Sequence, residues 1–422
     1  MSKNQNNLTA GWELAARLCG EYPKALGKAE ALLDRYVNKI SIAERKRCQF
    51  LFLGAIRHWL LIDHTINSLV TRQPKPRLRG MLTAALADLL QTNEEKVPQV
   101  VDFWVGKTRE KLSRGEGGLV NAVLRRARDV WSEIEQSGNR ALLNSHPGWL
   151  VEKWLSNYGL QNTELLLNWD QQPAEVFLRI RDASLIEIPG CSKTEWPGFI
   201  RYESKGIWQD VQKLLNEGKV YVQDPSTRIP PSLLEVQPGQ RVLDLCSAPG
   251  GKALILAEAL KDDEAGELVC VDLPGPRITQ LDENLRKLSS DSGPTIQLLQ
   301  ANALEIDSEE MGPFDAVLLD APCTNTGVLR RRPDAKLRLE PKSVTEMSDL
   351  QFRLLTNASS FVRAGGKLVH STCSIEPEEN EQLVERFLAA NSDFELLRSV
   401  VSLPWECHHD GGGAFLMKRK MY

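Results

Sequence analysis

The sequence of 422 residues has few cysteines and no long uninterrupted apolar run. Its eight cysteines are widely spread and never form a C-x-x-C pair, so neither a disulfide framework nor a structural zinc site is predicted. The apolar stretch 51–62 is interrupted by Arg57 and His58 and is too short to span a bilayer. The polar residues 1–7 lack the apolar core of a secretory signal. We therefore expect a cytoplasmic protein, with no membrane segment and no metal.

The composition is that of an ordinary globular protein, because 42% of the residues are apolar and 26% are charged. Its length allows about two or three domains. The charge is uneven: residues 1–150 contain 23 basic and 15 acidic side chains, whereas the remainder contains 29 basic and 41 acidic ones. A basic first part is typical of a domain that binds a polyanion such as RNA. Arginines that only solvate helix faces would explain it equally well.

The spacing of apolar residues predicts three regions. Residues 1–140 form a helical bundle, since apolar residues recur with helical periodicity over 78–90 and again after the glycine pair Gly117-Gly118. Residues 141–225 mix short strand-like runs with helical pieces and form a small α+β segment. In residues 226–422, strands alternate with helices, which predicts an α/β domain with a mostly parallel, doubly wound sheet.

In this third region, strands are predicted at the short runs that are rich in apolar and β-branched residues. The expected strands are Arg241–Leu245, Glu267–Asp272, Thr295–Leu299, Ala316–Asp320 and Lys367–His370, with a helix at Ile278–Leu288 after the second. Ligands in such a sheet bind beyond the carboxyl ends of the strands. The loops after these strands are therefore where chemistry is expected.

The first such loop is rich in small residues. After Asp244-Leu245 the chain reads Cys246, Ser247, Ala248, Pro249, Gly250, Gly251 and Lys252. Small residues allow close backbone approach, and a helix start favours an anionic group. The next strand ends in Asp272, where an acid can bind ribose hydroxyls. The pattern is neither G-x-G-x-x-G nor a P-loop, and it favours an adenosine-containing cofactor over an ordinary tight turn.

Two later strands each deliver a cysteine to the same edge. The run 314–323 ends in Asp320-Ala321-Pro322-Cys323, and the run 365–374 ends in Ser371-Thr372-Cys373-Ser374. A single cysteine at a strand end is more often core filler than a nucleophile. Two on neighbouring parallel strands would meet, however, and a cation such as Lys252 would favour the reactive thiolate.

One reaction requires this set of groups. The C5 atom of a pyrimidine is a weak nucleophile, but addition of a thiolate to C6 converts the ring into an enamine whose C5 attacks a sulfonium methyl. A base must then remove the C5 proton so that the thiol can leave. Asp320 could accept from the exocyclic amine or, if protonated, donate to a ring nitrogen.

The combination of LDLCSAPGGK, LLDAPC and STCS closely resembles the S-adenosylmethionine-dependent RNA cytosine-5 methyltransferases over roughly residues 145–422. The helical part, with GLVNAVLRR near its end, resembles the NusB-type RNA-binding domain of the small-subunit ribosomal RNA methyltransferase B subfamily. The resemblance implies a NusB-like bundle, a small α+β domain and a Rossmann-like methyltransferase domain. It also implies S-adenosylmethionine as cofactor and unassembled or partly assembled small-subunit ribosomal RNA as partner, and we expect a monomer.

The resemblance also implies residue roles. Cys373 would attack C6, Cys323 would assist product release, and Asp320 would lie between the donor and the base. Residues Cys246 to Lys252 would line the methionine part of the donor, and Asp272 would bind its ribose. Beside the adenine, where the family often has an acid, this chain has Asn302, from which we expect weaker donor binding.

Two further departures concern the target. The family's C-terminal DGFF-like strand reads Asp410-Gly411-Gly412-Gly413-Ala414-Phe415 here, and the segment 332–337 keeps RPD-x-K without the usual following tryptophan. Both are expected to lie near substrate, so they bear on the choice of target rather than on the chemistry.

Three other functions are compatible with parts of the sequence. Transfer RNA could be the substrate of the same chemistry, although the NusB-like part favours ribosomal RNA. The chain could be a non-catalytic RNA-binding assembly factor, against which stand both cysteines together with Asp320 and Lys252. Methylation of a protein or small molecule would need no cysteine nucleophile.

Overall fold

A computed structural model describes residues 10–421 except 26–28, 38–39, 183, 185–186, 204–207, 262–265 and 289–292. The polar residues 1–7 lie outside the described part. The chain forms two compact units. The helical unit comprises the chain up to Gln172 together with Leu329–Leu339, and the sheet unit comprises Pro173–Val328 and Glu340–Tyr422.

The helical unit is built from amphipathic helices, as the apolar periodicity predicts. Its helices are α1 Gly11–Ala25, α2 Ala29–Val37, α3 Ile42–Arg57, α4 Trp59–Leu69, α5 Pro76–Leu90, α6 Val97–Lys111, α7 Arg114–Gln136, α8 Arg140–Leu143 and α9 Gly148–Asp170. Helix α5 is buried at the predicted positions from Leu78 to Leu89. It packs directly on α1, because a Cβ at Gly80 would lie 2.1 Å from the carbonyl oxygen of Ala16.

The helix predicted after the glycine pair at 117–118 begins before the pair instead. Both glycines lie inside α7, which begins at the N-cap Ser113, whose hydroxyl accepts a hydrogen bond from the N–H of Glu116. A Cβ at Gly117 would lie 2.5 Å from the side chain of Arg109 on α6. Close packing of two helices thus outweighs the low helix propensity of glycine.

The segment 329–339 belongs to the helical unit although it follows the Cys323 loop in sequence. The carboxylate of Asp334 accepts a hydrogen bond of 3.2 Å from the N–H of Ala29. Lys336 is 1% exposed, and the guanidinium of Arg330 lies 4.2 Å from the centre of the Trp169 ring. These residues of the segment are therefore packed within the helical unit, and the expected substrate contact of the segment stays a prediction.

The sheet unit contains two sheets. The smaller is antiparallel, in the order β2-β3-β1-β4, and β4 is preceded by helix α10. Its elements are β1 Phe177–Ile180, β2 Cys191–Lys193, β3 Phe199–Tyr202, α10 Trp208–Asn216 and β4 Val220–Val222. Strand β1 is joined to the helix Gly251–Ala259 of the larger sheet through an ion pair of 2.5 Å between Arg179 and Glu258.

The larger sheet has seven strands in the order β10-β11-β9-β8-β5-β6-β7. Its elements are α11 Ile229–Leu234, β5 Arg241–Leu245, α12 Gly251–Ala259, β6 Glu267–Asp272, α13 Pro276–Leu285, β7 Thr295–Gln300, α14 Ser308–Met311, β8 Phe314–Asp320, α15 Pro341–Ser360, β9 Val362–Thr372, α16 Glu381–Ala390, β10 Phe394–Ser402, α17 Pro404–Cys407 and β11 Gly412–Arg419. Five neighbouring strands are parallel, whereas β11 is antiparallel to both β9 and β10.

The predicted fold class is confirmed: a helical domain is followed by a Rossmann-like mixed sheet. The core strands are nearly free of exposed residues, which is why they read as continuous apolar runs. The domain bounds differ from the predicted three-part division at 140 and 225. Residues 141–172 pack with the helical unit, and the small sheet packs with the larger one.

Among the helices of the described residues, none has both the length and the apolar character that crossing a bilayer requires.

Candidate active site

The two predicted cysteines meet at the carboxyl edge of the large sheet. Strands β8 and β9 are parallel neighbours in which Asp320 lies opposite Ser371, so the loops that follow start side by side. The sulfur atoms of Cys323 and Cys373 are 3.1 Å apart. Both side chains are partly exposed, so the pair can meet a substrate.

The two thiols occupy different environments. The hydrogen bond to Cys373, together with burial and the charges of Cys373 and Glu379, raises the pKa of Cys323 well above its usual range. The sulfur of Cys373 lies 3.3 Å from Oδ1 of Asn325, whose Nδ2 donates to the carbonyl oxygen of Cys323 over 2.8 Å. Cys323 is therefore held as a protonated thiol beside the sulfur of Cys373.

A lysine–aspartate pair completes this edge. Nζ of Lys252, at the start of α12, lies 2.6 Å from Oδ2 of Asp320, while Oδ1 of Asp320 accepts from the hydroxyl of Ser371 over 3.0 Å. Burial lowers the pKa of Lys252, but attraction to Asp320 and to Cys373 outweighs it and raises that pKa overall. Lys252 is thus a cation next to the nucleophile candidate, which favours a thiolate there.

The loop after β5 makes the predicted sharp turn. Cys246 and Gly250 both have positive φ, 60° and 104°, and Ala248-Pro249 is a cis peptide bond. The carboxylate of Asp272 accepts from the N–H of Ala248 over 2.8 Å, so this acid is fixed against the turn, and its contact with ribose hydroxyls stays a prediction. The pKa of Cys246 is raised to about 12, mainly by burial, so it is not a candidate nucleophile.

A buried acid in this strand was not singled out from the sequence. Asp244 is 0% exposed, and neither of its carboxylate oxygens has a hydrogen-bond partner among the residues that the structure describes. Burial, then the charge of Asp320, raises its pKa well above the usual range. A buried acid without donors needs a polar ligand. Its only sequence signal is that it interrupts an otherwise apolar strand.

This acid supplies a test for the expected cofactor. S-adenosylmethionine carries an ammonium group, a sulfonium charge and ribose hydroxyls, all of which suit carboxylates. Asp244, Asp272 and Asp320 stand near the same small-residue turn, since their charges act on one another or on Cys246. These three carboxylates therefore fit the charged groups and hydroxyls of the cofactor.

Asn302 lies in the turn after β7, two residues beyond the residue that pairs with Asp272. Its Nδ2 donates to Glu305 over 2.7 Å, and its Oδ1 accepts from the N–H of Leu304 over 3.1 Å. The side chain is therefore engaged in shaping its own turn, and its contact with an adenine stays a prediction.

A small cavity opens beside Cys373, and sequence reasoning identified about half of its lining. Around the sulfur it is lined by Lys252, Thr372 and Cys373, and on other sides by Ser226, Thr227, Ile229, Pro230, Val328, Val400, Ser402 and residues 410–414. The hydroxyls of Ser226 and Thr227 and the carboxylate of Asp410 are candidate contacts for a base. Their signal is weak, since only Asp224-Pro225 and the altered DGGGAF segment mark these loops.

The glycines of the altered segment lie directly on the Cys373 turn. A Cβ at Gly412 would lie 2.4 Å from the carbonyl oxygen of Thr372, and one at Gly413 would lie 2.2 Å from Oδ1 of Asn380. Small residues at these positions thus permit the close approach of β11 to the loop.

No group of three or more His, Cys, Asp or Glu side chains in the described ranges is arranged to hold a metal ion.

Both the helical part and the sheet part of the chain match known protein families. The model of the 16S rRNA methyltransferase RsmB/F family matches residues 231–410, and that of the NusB family matches residues 13–129. Ribosomal RNA small subunit methyltransferase B of Pseudomonas syringae is 31% identical over 91% of this chain and 87% of its own length. The protein of that name from Pseudomonas putida is 32% identical, over 90% and 88%.

Solved structures show the same fold. The crystal structure of PH0851 superposes with a TM-score of 0.76 at 22% identity and covers 97% of this chain and 99% of that one. NSun6 from Pyrococcus horikoshii, solved with the S-adenosylmethionine analogue SFG, has a TM-score of 0.57 at 17% identity. It covers 66% of this chain, and all of its own length is matched.

Proposed function

The chain belongs to the 16S rRNA methyltransferase RsmB/F family, and we propose that Cys373 and Cys323 carry out its reaction: S-adenosylmethionine-dependent methylation of C5 of a cytidine in small-subunit ribosomal RNA. The observation that carries this proposal is the pair of sulfur atoms 3.1 Å apart. They lie beside a lysine–aspartate pair, at the edge where the cofactor turn begins.

S-adenosylmethionine, when bound, supplies an electrophilic methyl group to C5. The turn from Cys246 to Lys252 would hold it, with Asp272 at its ribose. The unpaired buried carboxylate of Asp244 suits its ammonium group, because a cation there would stabilise the charged form of the acid. Asn302 would contribute at the adenine.

In the first step, Cys373 loses its proton to solvent and its sulfur bonds to C6 of the cytosine. Lys252, held as a cation by Asp320, stabilises the thiolate. Asp320 lies at the same edge, where its carboxyl group can bind the N3/N4 side of the ring. The electron pair displaced from the C5–C6 bond makes C5 nucleophilic.

In the second step, the thiol of Cys323 releases its own proton to solvent, the resulting thiolate takes the proton from C5, and the C6–sulfur bond breaks to restore the ring. The charge of Cys373 and the hydrogen bond to it contribute to the raised pKa of Cys323. Once Cys373 is bonded to carbon, both contributions are lost. The pKa of Cys323 then falls toward its ordinary value, so the thiol can lose its proton and act as the base at this step.

The target base must leave its stack to reach this edge, which costs a few kcal/mol. Unassembled or partly assembled small-subunit RNA offers such bases at the lowest cost. The basic helical region supplies salt-dependent affinity for the RNA backbone. We further propose that the enzyme acts as a monomer in the cytoplasm, where this RNA is assembled.

Nucleoside mass spectrometry with bisulfite mapping tests the proposed function. Small-subunit ribosomal RNA from cells that lack the gene should lose one or more 5-methylcytidines. The intact gene should restore the modification, whereas a gene encoding Cys373→Ala should not. An unchanged 5-methylcytidine map after gene loss would refute the proposal, and a loss confined to transfer RNA would reassign the substrate.

A further inference from the structure

One buried carboxylate, that of Glu379, connects the loops that carry Cys323 and Cys373. Glu379 is 0% exposed. Its Oε1 accepts from the hydroxyl of Ser374 over 2.6 Å and from the hydroxyl of Thr324, and its Oε2 accepts from the backbone N–H of Thr324 over 3.0 Å. Thr324 and Ser374 are the residues that follow Cys323 and Cys373, so a single side chain binds the chain next to each sulfur.

A glutamine extends this connection to the other side of Cys323. Nε2 of Gln351, on α15, donates to Oε2 of Glu379 and to the carbonyl oxygen of Pro322, in both cases over 2.8 Å. Gln351 is also fully buried. The residues before and after Cys323 are thus both held by the Glu379–Gln351 pair.

Both carboxylate oxygens of Glu379 must act as hydrogen-bond acceptors. All of the groups that reach the carboxylate are donors, namely two hydroxyls, a backbone N–H and an amide NH2. An ionised carboxylate satisfies them, whereas a glutamine would turn an NH2 group toward at least one donor. Such a mismatch in a buried network is costly.

We propose that Glu379 is a positioning residue for the methyltransferase reaction: its carboxylate sets the register of the two loops and so holds the sulfurs of Cys323 and Cys373 at reacting distance. This inference rests on the proposed function. Glu379 reaches neither sulfur through a hydrogen bond that the structure records, and it acts through Thr324 and Ser374. It also faces Cys323 electrostatically, because its charge contributes to the raised pKa of that thiol.

The test compares Glu379→Gln with Glu385→Gln, an exposed glutamate on the neighbouring helix α16. Each full-length variant is mixed with S-adenosylmethionine and small-subunit RNA that contains 5-azacytidine, and the rate of covalent adduct formation is measured. Glu379→Gln should slow the adduct by about 10- to 100-fold, the range for losing a hydrogen bond to a charged group. Its cofactor affinity should stay within about twofold of the wild type, and Glu385→Gln should match the wild type in all respects.

A pH profile separates positioning from general stability. In the Cys373→Ala background, alkylation of Cys323 by iodoacetamide should shift to lower pH when Glu379→Gln is added, since one charge that raises the thiol pKa is gone. Exposure of the thiol through lost packing would also lower its pKa, because burial helps to raise it. The shift is therefore compared at a melting temperature equal to that of the Cys373→Ala parent.

A second variant covers the case in which Glu379→Gln folds poorly. Ser374→Ala removes one donor and keeps the carboxylate, and it should slow the adduct by a smaller factor at an unchanged melting temperature. A wild-type adduct rate in Glu379→Gln, or a loss in both variants that only parallels the loss of folded protein, would overturn the inference. Failure of the wild type itself to form an adduct would instead refute the proposed function.

Discussion

The loops that carry Cys323 and Cys373 look equivalent in the sequence but differ in the structure. Both follow parallel neighbouring strands, yet Cys373 comes directly after β9, whereas Cys323 stands three residues beyond the end of β8. Cys373 interacts electrostatically with Lys252 and helps to raise the pKa of that lysine. Cys323 interacts instead with the buried carboxylate of Glu379, whose charge helps to raise the pKa of the thiol. In the proposed mechanism, these two identical side chains therefore have opposite proton tasks.

Replacing the nucleophile should have the largest effect. Cys373→Ala removes the atom that bonds to C6, so methyl transfer should fall by about 10⁴-fold or more. Cofactor affinity should be nearly intact, because the lost group acts on the base. Single-turnover transfer of a labelled methyl group, with calorimetry for the cofactor, measures both quantities. A variant that retains activity would end the distinction between the two loops and favour amine or oxygen methylation.

Replacing Cys323 should block release of the product, whereas replacing Cys373 should block attack on the base. Cys323→Ala leaves attack possible but removes the base for C5, so turnover should fall by about 10²- to 10⁴-fold while a protein–RNA adduct accumulates. Denaturing electrophoresis detects this adduct. Cys407→Ala, at a cysteine outside the site, is the matched control and should accumulate none. Full activity without an adduct in Cys323→Ala would contradict the assigned role.

The pH dependence of release sharpens the comparison further. Burial and the charge of Glu379 still raise the pKa of Cys323 after Cys373 has bonded to the base. Because a raised thiol pKa leaves the thiolate scarce at neutral pH, release should accelerate as the pH rises, by up to about tenfold per unit. Decay of the isolated adduct at several pH values measures this. A rate that falls with increasing pH would exclude Cys323 as the base.

Removal of the cation should affect mainly the Cys373 loop. Lys252→Gln deletes the charge that lies near Cys373 and 2.6 Å from Asp320, so adduct formation should slow by about 10-fold, the lower end of the range for losing one hydrogen bond to a charged group. Release from a preformed adduct should change less. An equal slowing of both steps would show that the lysine serves the two loops alike.

Local patterns in the sequence predict much of this site. The strands Arg241–Leu245 and Glu267–Asp272 are found with the predicted bounds, because a buried parallel strand is a continuous apolar run with sharp ends. The meeting of the two cysteines also follows from parallel pairing of adjacent strands. Such features depend on short stretches of chain and on one rule of topology.

Features that depend on distant residues are absent from those patterns. Glu379 binds Thr324, 55 positions away, and looks in the sequence like one of several helix-capping acids. The same limit applies to the segment 329–339, whose packing with the helical unit requires Ala29 as a partner. The inclusion of the glycine pair 117–118 in α7 is a further case, since Gly117 packs closely against the side chain of Arg109 on α6.

The smallest effect is expected from a residue outside both loops. Asn302→Ala removes the hydrogen bonds of 2.7 and 3.1 Å that shape the turn after β7, so cofactor affinity should weaken by about two- to fivefold. Adduct formation at saturating cofactor should equal that of the wild type, because neither sulfur loop contacts this turn through a recorded hydrogen bond. Asn302→Asp, which can still accept from Leu304, should bind the cofactor at least as well as the wild type. A slower adduct in Asn302→Ala at saturating cofactor would mean that the sulfur loops respond to the far end of the cofactor site, and the separation between binding and attack on which the comparison depends would be lost.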